Sequence, residues 1–276
     1  FDLKDGILEG RVDLYPEYTG TGLALAGIPT AGDRENALAE LKDVSARYGV
    51  KWLNRLGIEN SYVLVMRPEI AARMEVETIG ELAALEEKIT IGIEREFLAR
   101  PVDGYRSLIR RYGFTPKPER LVVDSRVKLY RELVQERIDA AITYRTDPQI
   151  EDFKLKALRD NLNFFPAYEA APLVRDEVLR RYPQLKVAMS RLIGLLDNEV
   201  ITRLNKKVML DGHPPKNVAE SFLVHHGLLK EKTAEPERRK LRVAMPPSEH
   251  SSTVLARALD ATRQVFPNRS VSLVSS

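Results

Sequence analysis

Four tyrosines fall where predicted strands give out. Tyr18 follows "VDLY", Tyr62 lies within "ENSYVLVM", Tyr144 closes "DAAITY" and Tyr168 closes "NFFPAY". A tyrosine offers a flat, electron-rich face and a polar tip. Four such rings brought together would make a box that holds a cation by cation–π attraction, and a quaternary ammonium suits it because that group carries charge but donates no hydrogen bond. Taken singly, each ring also reads as an amphipathic residue at the edge of a core. Placement separates the two readings, because ligands of open α/β sheets bind outside the carboxyl ends of strands.

Other chemistry is thinly represented. His213, His225, His226 and His250 form no H-E-x-x-H arrangement, and the adjacent pair points to different sides of a helix, against shared metal ligation. Glu94 and Glu96 flank Arg95 at a spacing that puts both carboxylates on one side of a strand, which suits surface or ion-paired roles better than acid–base work. The glycines of "TGTGLALAG" lack the Gly-Lys-Ser/Thr ending of a phosphate loop, and no serine sits in a G-x-S-x-G elbow. The absence of cysteine excludes disulfides, thiolate zinc sites and cysteine nucleophiles. These residues argue against an enzyme.

Charge and hydropathy narrow the partners. The chain carries 43 basic and 40 acidic residues, well mixed. Its strongest basic run, "KEKTAEPERRKLR" (230–242), has no interleaved aromatics and reads as a solvated linker rather than a nucleic-acid patch. No apolar run is long enough for a transmembrane segment. The opening "FDLKDGILEG" lacks the regions of a secretion signal.

The elements that must position the tyrosines alternate between apolar runs and helical patterns, which predicts an α/β protein with largely parallel sheets. Strands are expected at 12–15, 61–66, 88–93, 120–125, 139–144 and 162–168. Leu38, Leu41, Val44 and Tyr48 define one helical face, and Val127, Tyr130, Leu133 and Val134 another. Beyond residue 170 the pattern turns mostly helical, with breaks at Pro183, Gly212 and Gly227. After the charged linker, "KLRVAMP", "SSTVLARALDATRQVF" and "SVSLVSS" spell strand, helix and strand, a unit that normally opens a doubly wound domain.

Several stretches together carry a family resemblance: "DLYPEYTGT" (13–21), "LGIENSYVLVM" (56–66), "EFLARPVDGY" (96–105), "AAITYRTD" (140–147), "LNFFPAYEAAPLVR" (162–175) and "VAESFLVHHGL" (218–228). The sequence resembles the substrate-binding proteins of bacterial ABC importers for glycine betaine, choline, carnitine and related osmoprotectants. The resemblance implies a type II periplasmic-binding-protein fold, two α/β lobes joined by a hinge, with lobe 1 at 1–87 and 169–276 and lobe 2 at 88–168. It implies noncatalytic capture of a small quaternary-ammonium or betaine-type solute, no cofactor, delivery to a permease subunit, and a periplasmic or extracytoplasmic location at the membrane through that transporter. A sensory or regulatory solute-binding module is the alternative.

Residue by residue, the resemblance makes Tyr18, Tyr62, Tyr144 and Tyr168 the aromatic cage. Thr21 offers a hydroxyl, and Arg100 faces a ligand carboxylate. Tyr15 is expected to be structural. The family's usual first strand, loop, helix and second strand look like residues 240–276 here, so the chain reads as a circular permutant, with a truncated tandem as the other possibility. In that alignment Glu249 and His250 replace the family's polar ligand contacts. Arg145 stands where a small residue is usual.

Overall fold

The computed structural model describes residues 3–28, 34–85, 89–113, 121–230, 241–244 and 271–274. It divides into two compact units, Phe1–Ala26, Asp33–Asn60 and Tyr168–Ser276 forming the first and Gly27–Gly32 with Ser61–Ala167 the second.

In the first unit, β1 (Leu14–Tyr18) runs antiparallel to β8 (Ala170–Arg175), and β8 antiparallel to β2 (Val50–Trp52). On the other side of β1, β9 (Leu241–Ala244) pairs parallel through Leu14 and Val243, and β10 (Val271–Val274) pairs parallel with β9. The resulting order is β10-β9-β1-β8-β2. Helices α1 (Leu3–Leu8), α2 (Thr19–Leu25) and α3 (Arg34–Ala46) belong to this unit, as do α10 (Asp176–Arg181), α11 (Gln184–Ser190), α12 (Asn198–Met209) and α13 (Pro215–His225). Gly22 lets α2 lie against the indole of Trp52, since a Cβ there would meet the ring at 2.7 Å. Pro183 separates α10 from α11, Asp197 caps α12 through the Val200 amide at 2.7 Å, and Gly212 takes a left-handed φ of 73° beyond its end.

The second unit has the order β5-β4-β6-β3-β7. Its central strands are β3 (Tyr62–Met66), β4 (Ile91–Ile93) and β6 (Ala140–Tyr144), with β5 (Leu121–Val123) and β7 (Lys156–Ala157) at the edges. β4 is parallel to β5 and β6, whereas β3 is antiparallel to β6 and β7. Helices α4 (Pro68–Arg73), α5 (Ile79–Ala83), α6 (Arg95–Ala99), α7 (Tyr105–Tyr112), α8 (Arg126–Val134) and α9 (Gln149–Asp152) complete it. Val63, Val65 and Ala141 pack with Leu129, Tyr130, Leu133, Ile138 and Leu155 to form its core. Each fully buried aliphatic side chain there contributes about 1.5–3 kcal/mol.

Several expectations change. Both sheets are mixed rather than largely parallel, because β1–β8 and β3–β6 return antiparallel. The boundary expected at residue 87 falls at Asn60–Ser61 instead, since β3 pairs with β6 inside the second sheet. Residues 162–168 are no strand: the Tyr112 hydroxyl accepts from the Leu162 amide at 3.1 Å and the Asp160 carboxylate from the Phe165 amide at 2.8 Å, so side chains satisfy that backbone. The strand comes later, as the almost wholly buried β8. On α8 the buried face is Arg126, Leu129, Tyr130 and Leu133, with Val127 and Val134 exposed. Tyr48 is exposed beyond the end of α3. Glu94 and Glu96 lie at the start of α6, not along a strand.

Candidate functional site

In the second unit, the antiparallel register sets Tyr62 directly opposite Tyr144. Opposed residues on neighbouring strands project to the same face, so the two rings meet. Their centroids are 4.7 Å apart with planes at 29°, and the Tyr144 hydroxyl donates to the Tyr62 hydroxyl at 3.2 Å. Phe97, on α6, approaches Tyr62 at 4.8 Å, and Phe165 at 5.9 Å. This is a buried cluster of four rings.

Two guanidiniums flank the stacked pair, each tied to a buried carboxylate. The Arg126 guanidinium carbon is 4.4 Å from the Tyr144 ring centre, and Nη1 is 3.4 Å from Asp147 Oδ1. Asp147 Oδ2 accepts from the Tyr130 hydroxyl at 3.1 Å. The Arg100 guanidinium carbon stands 5.7 Å over the Tyr62 ring, and its Nε and Nη2 donate to the two carboxylate oxygens of Asp103 at 2.7 and 2.6 Å.

Burial dominates the electrostatics. It pushes the Tyr62 and Tyr144 hydroxyls well above the ordinary phenol range, and Tyr130 likewise. It also raises the carboxyls of Asp147 and Glu94, with Arg126 pulling the other way in both. For Arg126 itself, burial works against the charge, but the attraction of Asp147 and Glu94 outweighs it and the pKa rises.

In the first unit, Tyr18 and Tyr168 come from one end of the sheet. Tyr18 ends β1 opposite Ala170, two residues past Tyr168. Tyr18 thus ends a strand and leads directly into a helix. Backbone bonds fix the place: the Thr19 amide donates to Glu169 O at 3.0 Å, the Glu169 amide to Thr19 Oγ1 at 3.1 Å, and the Asn60 amide to Tyr168 O at 3.0 Å. Tyr15 is buried as expected, donating from its hydroxyl to Glu17 at 3.1 Å. Thr21 is half-buried in the first turn of α2.

Thus Tyr62, Tyr144 and Arg100 share one cluster within the second unit, and Tyr18, Thr21 and Tyr168 share one sheet end within the first. Glu249 and His250 lie outside the described residues. Arg145 is exposed after β6, its amide donating to Ser61 O at 2.9 Å. Sequence reasoning missed Asp103, Phe97, Phe165 and Arg126. The first was signalled by an acid three residues after Arg100, and the two phenylalanines lay inside quoted motifs. Arg126 had no comparable signal, because its partner Asp147 is distant in the chain. Among the described residues, no group of three or more His, Cys, Asp or Glu is placed to hold a metal ion.

Comparison with known proteins points the same way. The profile described as the substrate-binding domain of ABC-type glycine betaine transport systems matches residues 3–225. A carnitine transport binding protein of Listeria monocytogenes is 31% identical over 221 residues, spanning 79% of this chain and 71% of that protein. A glycine-betaine-binding protein of Pseudomonas aeruginosa is 31% identical over 232 residues, 80% of this chain and 74% of that protein. Among solved structures, one of a glycine betaine/carnitine/choline ABC transporter matches with a TM-score of 0.68 at 27% identity, covering 82% of this chain and 83% of that one.

Proposed function

The chain belongs to the family of substrate-binding domains of ABC-type glycine betaine transport systems, with the type II periplasmic-binding-protein fold, and from that premise we propose that it captures a small quaternary-ammonium or betaine-type solute and hands it to a permease. The observation that carries the ligand class is the buried cluster of Tyr62, Tyr144, Phe97 and Phe165 beside two guanidiniums. Desolvated ring systems of this kind hold cations that cannot be hydrogen-bonded.

In this reading Tyr18, Thr21, Tyr62, Arg100, Tyr144 and Tyr168 are the residues that contact the solute. Arg100 attracts a carboxylate when the ligand has one. Two lobes closing on a solute are a common hinge motion, and the permease then reads the closed form. The solute leaves unchanged, so the protein acts as a carrier and not as an enzyme. It works outside the cytoplasmic membrane beside its transporter, and no helix among the described residues is long and apolar enough to cross a membrane.

Strands β9 and β10 are proposed to take the places of the family's usual first and second strands, a reading that the parallel pairing of β9 with β1 and of β10 with β9 supports.

A thermal-shift screen against choline, glycine betaine, carnitine and ergothioneine tests the ligand class. A ligand that binds only the folded state raises the melting temperature, by about 2.7 kcal/mol of added stability at a hundredfold excess over Kd. No shift with any quaternary amine at millimolar concentration would sink this function.

A further inference from the structure

Asp103 occupies the edge of Arg100 that an incoming carboxylate would be expected to use. Nε donates to Oδ1 at 2.7 Å and Nη2 to Oδ2 at 2.6 Å, the two parallel charge-assisted bonds of a fork-to-carboxylate pair. The Asp103 side chain is 2% exposed and that of Arg100 16%, so solvent screens the pair poorly.

The local chain explains the contact. Helix α6 stops at Ala99, Arg100 leaves it in extended conformation ahead of Pro101, and Gly104 caps α7. A Cβ on Gly104 would lie 2.5 Å from the carbonyl oxygens of both Arg100 and Phe97. Only a residue without a side chain lets the corner turn so sharply that residue 103 comes back against residue 100.

A second carboxylate adds to the first. Glu96 Oε1 lies 3.7 Å from Arg100 Nη1 on the preceding turn. One guanidinium near Tyr62 is therefore flanked by two carboxylates, and the trio carries an excess of negative charge. An uncompensated guanidinium would repel a ligand's ammonium and reward a ligand's carboxylate. Two acids at this range offset both effects, since charges several ångströms apart in a partly buried setting interact appreciably.

We infer that Asp103, assisted by Glu96, is a specificity-determining residue that offsets the charge of Arg100, so that the site admits bare quaternary cations as well as betaines. The inference rests on the ligand class proposed above and adds to it which charge types are accepted and why.

Calorimetric titration of the full chain with choline and with glycine betaine, for wild type, Asp103→Asn and Glu96→Gln, tests it. Asparagine is nearly the same shape and keeps one acceptor for Arg100, so the substitution removes the charge and one of the two bonds. The ratio of the choline Kd to the betaine Kd should rise on the order of tenfold in Asp103→Asn. In Glu96→Gln it should rise by roughly two- to threefold, because that acid is half exposed and screened. A purely structural role would weaken both ligands alike, or weaken betaine more through a loosened Arg100, and an unchanged or falling ratio overturns the inference. Should Asp103→Asn fail to fold, the exposed Glu96→Gln decides by the same criterion. Wild type binding neither ligand nor any other quaternary amine overturns the ligand class, and this inference with it. Wild type that binds them, with ratios indifferent to both substitutions, overturns this inference alone.

Discussion

In the second unit two tyrosines stack ring on ring within a side-chain cluster, and in the first two tyrosines stand at one end of the sheet. Tyr62 and Tyr144 stack across a strand pair, with Phe97 and Phe165 around them and an Arg–Asp pair on either hand. Tyr18 ends β1 and Tyr168 lies two residues before β8, and hydrogen bonds from the Thr19, Glu169 and Asn60 amides run beside them. Each unit also buries a carboxylate that accepts a tyrosine hydroxyl at 3.1 Å, Glu17 from Tyr15 and Asp147 from Tyr130. The difference teaches that a ring cluster between guanidinium–carboxylate pairs sets local charge as well as position, whereas a sheet end sets position through the ladder.

The largest expected effect separates the units by their sheets. Deleting residues 240–276 removes β9 and β10 and uncovers the edge of β1, while the sheet of the second unit keeps all five strands. Hydrogen exchange should show protection lost across β1, β8 and β2 and retained in β3, β4 and β6. Equal protection of the first sheet with and without the segment would show that β9 and β10 contribute nothing to it.

Alkali should destabilise the second unit. Burial raises Tyr62, Tyr130 and Tyr144, so the folded state keeps protons that the unfolded chain releases near pH 10.0. Their contribution is therefore fully present below that pH and lost above it. Stability should fall by up to about 1.4 kcal/mol per pH unit for each such tyrosine. Tyrosinate absorbance from these three should appear together with unfolding. Ionisation near pH 10 in a chain that remains folded would contradict their burial.

The smallest effect concerns affinity. Alanine at Tyr18, Tyr62, Tyr144 or Tyr168 should each weaken binding by about 0.5–2 kcal/mol. The Tyr62 variant should also lose stability, by about 3–5 kcal/mol as large buried aromatics do. Titration and urea denaturation of the same four variants measure both. Four unchanged affinities would dismantle the cage.

Much of the architecture was legible because local signals carried it. Pro183, Gly212 and Gly227 mark helix ends in the sequence and mark them in the structure, since each acts through its own backbone. The apolar runs at 61–66 and 139–144 became β3 and β6, and "KLRVAMP" and "SVSLVSS" became the parallel pair β9 and β10. The resemblance pointed to the fold.

What stayed hidden depends on partners far away in the chain. The run at 162–168 looks like a strand until Tyr112 and Asp160 take its amides. Val127 and Val134 share helical spacing with Tyr130, yet only the sheet beneath α8 decided which of them it covers. Composition and spacing placed Tyr144 at the close of its strand, whereas Tyr62 opens β3 and Tyr168 precedes β8. Register alone decided that Tyr62 would face Tyr144, because a one-residue slip would have turned either ring to the opposite side of the sheet. The closure of Asp103 on Arg100 was likewise decided in three dimensions: the acid three residues on was visible, but the turn that brings it back exists only because Gly104 packs against the carbonyls of Phe97 and Arg100.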